Sequence, residues 1–316
     1  MAIVIIHPKQ VAPWVKALKD VDPHLDIRIY PDDKAREEVD FALTWRHPYG
    51  LFSSYPNLRC ISSMGAGVDH LLRDPDLPRE VTITRLVDPY LAQDMAEFVL
   101  ALVMGHLRNL SGFKLKQVNS EWQPAGYARI QDVAIGIMGM GAIGKNVALQ
   151  LQKTGFRVHG WALTPKTWPE VKVYSGPYGF HDFLMQSNIL VCVLPLTPDT
   201  QGIINKKTLR QLPKHAFVIN VGRGEHLVEE DLLTMLAEGH ISGASLDVFA
   251  EEPLPKSSAL WNHPRINITP HIASITDPVS VAPQIVKNYH LLKEGKTLLN
   301  HEIDIIRFKQ YYSNKM

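Results

Sequence analysis

Short apolar runs alternate with amphipathic stretches along most of this 316-residue chain. Ala2–Ile6, Ile27–Tyr30, Phe41–Trp45 and Leu58–Met64 read as strands, and Val11–Leu18 has the apolar spacing of a helix. From Asp94 the pattern changes. Met95, Phe98, Val99, Leu102, Val103 and Leu107 recur at helical spacing and predict a long helix. Ser120–Arg129 is polar, contains Pro and Gly, and reads as a loop. A second series opens with a strand at Val133–Met138. Later strands are predicted at Arg157–Trp161, Ile189–Leu194, Phe217–Val221, Ala244–Val248 and Ile266–Thr269. Between them, Val228–Glu238 reads as a helix, with acids in its first turn and Gly239 just past its end. Val281–Leu292 is the last helical stretch, followed by Gly295 and a mixed tail in which Tyr311-Tyr312 carries no readable signal. Strands alternating with helices imply parallel, helix-covered sheets. The chain therefore reads as two α/β units, divided near the long helix after Asp94.

Composition narrows the function. Lys and Arg number 33 against 32 Asp and Glu, a formal charge of +1. A nucleic-acid binder draws much of its affinity from a basic excess, which is missing here, so no nucleic-acid partner is expected. With 45% hydrophobic and 21% charged residues the chain is not of the disordered class. The longest apolar segment, Phe98–Met104, is far shorter than the roughly 20 residues a bilayer requires. MAIVIIHPKQ lacks the basic start of a signal peptide. Two cysteines, Cys60 and Cys192, make no disulfide framework and read as buried and inert. A soluble cytoplasmic protein with no membrane partner is the expectation.

Gly139-Met140-Gly141-Ala142-Ile143-Gly144 follows a predicted strand and opens a predicted helix. In that setting a GxGxxG turn binds dinucleotides. The first glycine permits the turn, the second admits the pyrophosphate, and the third lets helix and strand pack closely. The phosphates then meet the free N–H groups of the helix N-terminus. A glycine-rich turn without a ligand is the bland alternative. About 20 residues on, an NAD site usually places a carboxylate for the ribose 2′-hydroxyl. Here the segment His159–Lys166 has none, and the next acid is Glu170. Thr164 and Lys166 could instead bind a 2′-phosphate, which favours NADP, with NAD possible.

Three further segments each follow an apolar strand: Asn220–Gly224 with Arg223, Leu246–Leu254 with Glu252, and Thr269-Pro270-His271. In open α/β sheets the ligand crevice lies outside the carboxyl ends of the strands. A guanidinium fork matches the coplanar carboxylate and carbonyl oxygens of a 2-keto acid. A histidine paired with a carboxylate suits proton delivery to the alkoxide that forms as hydride arrives. Each residue alone is usually a surface group; the ordered set of three reads as catalytic.

The GMGAIG turn, the NVGRG loop, LDVFAEEPLP and TPHIAS resemble the D-2-hydroxyacid dehydrogenase family over most of the chain. Gly65-Ala66-Gly67-Val68-Asp69 is similar to that family's substrate loop. Ala42–Trp45 and Asn119–Pro124 look like the glyoxylate/hydroxypyruvate reductase branch, which generally uses NADPH. The resemblance implies two Rossmann-like, doubly wound parallel-sheet α/β domains with an interdomain active-site cleft that closes before hydride transfer. The substrate domain would be discontinuous, 1–98 plus 286–316, with the dinucleotide domain at 99–285.

Carried over by motif, Arg223 would clamp the substrate carboxylate, His271 would be the general acid, and Glu252 would orient His271 and raise its pKa. Glu251 is out of register. Asp247 would face the nicotinamide amide. Leu194, Pro195, Thr197, Val221, Gly222 and Ala273 would line the cofactor, and the N–H groups of Ala66, Gly67 and Val68 would hold the substrate. The branch often carries arginines where this chain has Leu163 and Pro165, with only Lys166 basic. Trp45 reads equally as core or as a wall of the substrate cleft, and Met95 reads as core. No metal site is assigned. A homodimer built largely on the dinucleotide domain is implied. The expected activity is NADPH-dependent reduction of a small 2-keto acid such as glyoxylate or hydroxypyruvate to the D-2-hydroxy acid. A dinucleotide-sensing regulator on the same scaffold is the competing class, and retention of Arg223, Glu252 and His271 argues against it.

Overall fold

The predicted strands are nearly continuous runs of Ile, Val, Leu and Ala, the pattern of a parallel sheet covered on both faces. The computed structural model describes residues 1–8 and 11–300. The Tyr311-Tyr312 tail and the end of the expected 286–316 segment lie outside the described residues. Two compact units form, one of Met1–Tyr90 with the described chain from Thr276 onward, the other of Leu91–Ile275. These divisions fall ahead of the expected 98 and 286. A helix packs as one body, so almost all of the helix Pro89–Leu107 joins the second unit and all of Pro278–Lys293 stays with the first.

In chain order the first stretch contains β1 (Ala2–Ile6), α1 (Ala12–Val21), β2 (Ile27–Ile29), β3 (Val39–Thr44), β4 (Cys60–Ser63), α2 (Asp69–Leu72), β5 (Thr82–Thr84) and α3 (Pro89–Leu107). Then follow α4 (Leu110–Val118), β6 (Ala134–Met138), α5 (Ala142–Lys153), β7 (Arg157–Ala162), β8 (Lys172–Ser175), α6 (Gly176–Met185) and β9 (Ile189–Cys192). The rest is α7 (Lys206–Gln211), β10 (Ala216–Asn220), α8 (Glu229–Ala237), β11 (Ile241–Leu246), β12 (Ile266–Ile268) and α9 (Pro278–Lys293).

The first unit holds a five-stranded parallel sheet in the order β2-β1-β3-β4-β5. Alternate residues of β1 serve opposite faces. Ile3 and Ile5 pack with Trp14 and Leu18 of α1 and with Ile285 and Tyr289 of α9. Ala2, Val4 and Ile6 pack with Phe52, Leu71 and Ile83 on the other face.

The second unit holds a seven-stranded parallel sheet, β12-β11-β10-β9-β6-β7-β8. One face packs Ile135, Ile137, Val191 and Ile219 against Met95, Val99 and Val103 of α3 and Val147 and Leu151 of α5. Met95 is thus core. The other face packs Leu190, Cys192 and Val218 against α6 and α8. The strand order reverses at β6, whose neighbours are β7 and β9. A crevice opens outside the strand ends at such a switch point, and the glycine turn follows β6 there.

The short strands β5 and β8 were not expected. Both lie on sheet edges and are rich in Thr, Lys and Ser, so they carry little apolar signal. Among the described residues no helix is long and apolar enough to cross a membrane.

Candidate active site

The glycine turn has the shape its chemistry needs. Gly139 sits at φ +107°, and a Cβ there would lie 2.9 Å from the Val193 carbonyl oxygen. A Cβ on Gly144 would collide with the Gly139 carbonyl oxygen, so the helix meets the strand only through glycine. A Cβ on Gly141 would meet nothing within 4 Å. Gly141 therefore borders open space, as a position facing pyrophosphate must. It is the N-cap of α5 and offers no side-chain cap, and the first helical bond runs from Lys145 N–H to the Gly141 carbonyl at 2.9 Å. The N–H groups of Ala142, Ile143 and Gly144 thus lack acceptors within the helix and are suited to phosphate oxygens. These residues fit a dinucleotide.

The expected cofactor residues take different roles. Met140 contributes backbone only, because its side chain is buried and fills the space that Gly160 of β7 leaves free. Ile143 is half-buried and packs into the core. Thr164 and Lys166 are exposed on the loop after β7, the strand beside β6. Leu194 and Val221 are buried beside the exposed Pro195 and the half-buried Thr197. Thr200 organises that loop. Its hydroxyl donates to the Pro195 carbonyl at 2.8 Å and accepts from the Thr197 N–H at 2.8 Å.

The catalytic candidates follow the neighbouring strands β10, β11 and β12, and two of them, Glu252 and His271, meet. His271 Nδ1 lies 2.8 Å from Glu252 Oε2, with the imidazole one-third exposed and the carboxylate 19% exposed. Glu252 Oε1 accepts the Phe249 N–H at 3.1 Å, so one carboxylate oxygen is anchored while the other holds the ring. Glu251 is exposed and turned to solvent. The carboxylate fixes a proton on Nδ1, and Nε2 has no partner among the described residues.

His271 itself has φ +54°, uncommon for a residue with a Cβ. Asp247 secures it. The His271 N–H donates to the Asp247 carbonyl at 2.8 Å. The buried Asp247 carboxylate accepts from the Thr269 hydroxyl at 2.6 Å, the Ile272 N–H at 3.0 Å and the Ala273 N–H at 2.9 Å. Asp247 and Ala273, expected beside the cofactor, are seen to brace the loop that carries His271.

Arg223 is half-buried on the loop after β10, and its Nη1 donates to the Gly222 carbonyl at 2.8 Å. Gly224 lets this loop pass Phe249 and Ala250, which a Cβ would strike. Three residues without a sequence-level assignment also bond these loops: Asn220, His226 and Ser63. Asn220, fully buried, accepts the Gly222 N–H and donates to the Arg223 carbonyl. A polar residue closing an otherwise apolar strand was the available signal.

Ser63 shapes the other loop. Its hydroxyl donates to the Gly67 carbonyl at 2.7 Å and accepts the Gly65 N–H at 3.2 Å, which folds Gly65–Val68 into a tight turn after β4. Trp45 is half-buried. It packs against the core of its unit and crosses over Gly65, where a Cβ would lie 3.1 Å from its ring. It therefore serves as core while its remaining surface borders the loop. Burial pushes the thiols of Cys60 and Cys192 up to about 12.

Comparison with known proteins agrees with this chemistry. Residues 100–273 match the family described as D-isomer specific 2-hydroxyacid dehydrogenase, NAD binding domain. The chain is similar to a D-isomer specific 2-hydroxyacid dehydrogenase from Xanthobacter autotrophicus Py2, solved with NADPH and MES. Identity is 39% and the TM-score 0.90, over 97% of this chain and 99% of that one. It is also similar to the NADPH-dependent glyoxylate/hydroxypyruvate reductase of Sinorhizobium meliloti, solved with NADP and sulfate. There identity is 33% and the TM-score 0.89, over 97% and 99% of the two chains. A probable 2-hydroxyacid dehydrogenase from Rhizobium etli CFN 42, solved with NADP, HEPES and L(+)-tartaric acid, shows 31% identity and a TM-score of 0.86 over 97% and 98%. The glycine turn, the Glu252–His271 pair and these likenesses agree: the chain belongs to the D-isomer specific 2-hydroxyacid dehydrogenase family and is an NAD(P)-dependent oxidoreductase.

Proposed function

We propose that the protein reduces small 2-keto acids, glyoxylate or hydroxypyruvate among them, to D-2-hydroxy acids with NADPH. The observation that carries this is the His271–Glu252 pair at 2.8 Å, which together with Arg223 follows the neighbouring strands β10, β11 and β12 of the sheet that bears the glycine turn.

The pyrophosphate would rest on the α5 N–H groups. Thr164 and Lys166 would meet the 2′-phosphate on a loop with no carboxylate to repel it. The NADPH and NADP bound in the related structures support that choice. When bound, the reduced nicotinamide supplies hydride to the keto carbon.

The guanidinium of Arg223 would grip the substrate carboxylate and polarise the carbonyl. Within the first unit, the N–H groups of Ala66, Gly67 and Val68 would add donors for the carboxylate, and Trp45 an apolar wall. With Nδ1 held by Glu252, the imidazolium of His271 would release its Nε2 proton to the substrate oxygen. The neutral ring keeps its Nδ1 proton on Glu252 and regains the other from water. The side of the ring left without a partner is thus the side that reacts.

The free, buried thiols of Cys60 and Cys192 support a cytoplasmic site of action. The exposed Leu110, Leu115 and Val118 of α4, with Trp122 beyond them, support a homodimer built on the dinucleotide-binding unit. A panel of 2-keto acids assayed with NADPH tests the reading, with chiral analysis of the product. D-2-hydroxy acid from the smallest members is expected, and an L product or no turnover would refute it.

A further inference from the structure

His226 lies on the short helical turn after Arg223, is fully buried, and had no role in the sequence reading. Its two ring nitrogens join two different loops. Nδ1 is 3.0 Å from the Arg223 backbone nitrogen, and Nε2 is 3.3 Å from the Pro195 carbonyl oxygen. A backbone N–H can only donate, so Nδ1 accepts. A carbonyl can only accept, so Nε2 carries the proton. The ring is therefore held neutral, as the Nε2–H tautomer. Asn220 grips the other side of the same peptide through the Arg223 carbonyl at 2.9 Å. Packing leaves little slack, since a Cβ on Gly222 would lie 3.1 Å from His226 Nδ1 and 3.2 Å from the Leu194 carbonyl oxygen.

We propose that His226 is a positioning residue that fixes the Arg223 backbone through Nδ1 and ties it to the cofactor-lining Pro195 loop through Nε2. The substrate clamp and the cofactor wall are thereby set by opposite edges of one imidazole. The inference rests on the proposed role of Arg223 as the anion clamp and adds a residue that touches neither ligand.

The two edges can be separated. Asn places an acceptor near the Nδ1 position, and Gln places a donor near the Nε2 position. In His226→Asn the KM for glyoxylate stays near that of the parent while the dissociation constant for NADPH rises. In His226→Gln the KM rises about tenfold, the cost of one buried N–H left unpaired, while NADPH affinity is kept. His226→Ala loses both. Binding of oxamate, a keto-acid isostere that cannot be reduced, is measured by titration calorimetry in the same variants and follows the KM pattern. Asn and Gln variants with the same profile, or an Ala variant with parental values of both constants, would overturn the proposal. If the parent reduces no 2-keto acid but the oxamate pattern holds, the reductase reading fails and the positioning role stands.

Discussion

Glu252 holds His271 with one carboxylate oxygen and the Phe249 N–H with the other, at 2.8 and 3.1 Å. A single side chain therefore fixes both its own place and the ring of His271, the proposed proton donor. Glutamine offers only one acceptor for these two donors. In Glu252→Gln we expect kcat to fall by up to about 10²-fold with the NADPH dissociation constant unchanged. Steady-state rates with a fluorescence titration of NADPH check this. A kcat within twofold of the parent would remove Glu252 from the catalytic set.

The glycine turn separates folding from binding. Gly144 touches the Gly139 carbonyl, whereas Gly141 faces open space. Gly144→Ala should lower the thermal midpoint by several degrees, because the collision is with backbone. Gly141→Ala should melt like the parent yet bind NADPH at least about tenfold more weakly, since its methyl group would occupy the place proposed for the pyrophosphate. Paired melting and binding curves for the two variants decide the matter. Equal loss of stability in both would contradict it.

Lys166 is the basic side chain on the exposed Leu163–Thr167 loop. In the proposed account it meets the 2′-phosphate. Lys166→Ala should raise the KM for NADPH about tenfold and leave that for NADH nearly unchanged. Equal effects on both cofactors would show that Lys166 does not read the phosphate.

His106 of α3 stacks on Phe217, with ring centroids 3.8 Å apart and planes at 19°. Burial pushes its pKa down to about 4 from 6.5. Between those values the unfolded chain binds a proton that the folded chain refuses, so stability is full above pH 6.5 and falls as pH drops toward 4. The loss reaches on the order of 3 kcal/mol at the lower end of the window. His106→Phe keeps the stacking and removes the proton site. Denaturant midpoints measured from neutral to acid pH should fall less steeply in that variant, and an unchanged slope would place the acid sensitivity elsewhere.

What could be read from the chain depended on how local each constraint is. The glycine turn was legible because its three glycines answer to geometry within one strand–helix junction. The placement of Arg223, Glu252 and His271 just beyond sheet strands was legible because each follows an apolar strand by a few residues. Met140 shows the limit. Its place in the motif says nothing about which way its side chain points, and Gly160 on the neighbouring strand decides that. His226 had no local signal at all, because the carbonyl that fixes its tautomer belongs to Pro195 on another loop. Asp247 was assigned to the cofactor on motif grounds, and its three hydrogen bonds to the His271 loop emerge only in three dimensions.

The central claim is NADPH-driven reduction with His271 as the proton donor. Its most direct test is the rate of NADPH oxidation with hydroxypyruvate in the parent and in His271→Ala, alongside NADPH affinity in both. The account predicts robust turnover in the parent, slower turnover with NADH, and a loss of about 10²-fold or more in kcat for the variant at unchanged NADPH affinity. Variant turnover close to that of the parent, or a parent that prefers NADH, would contradict it.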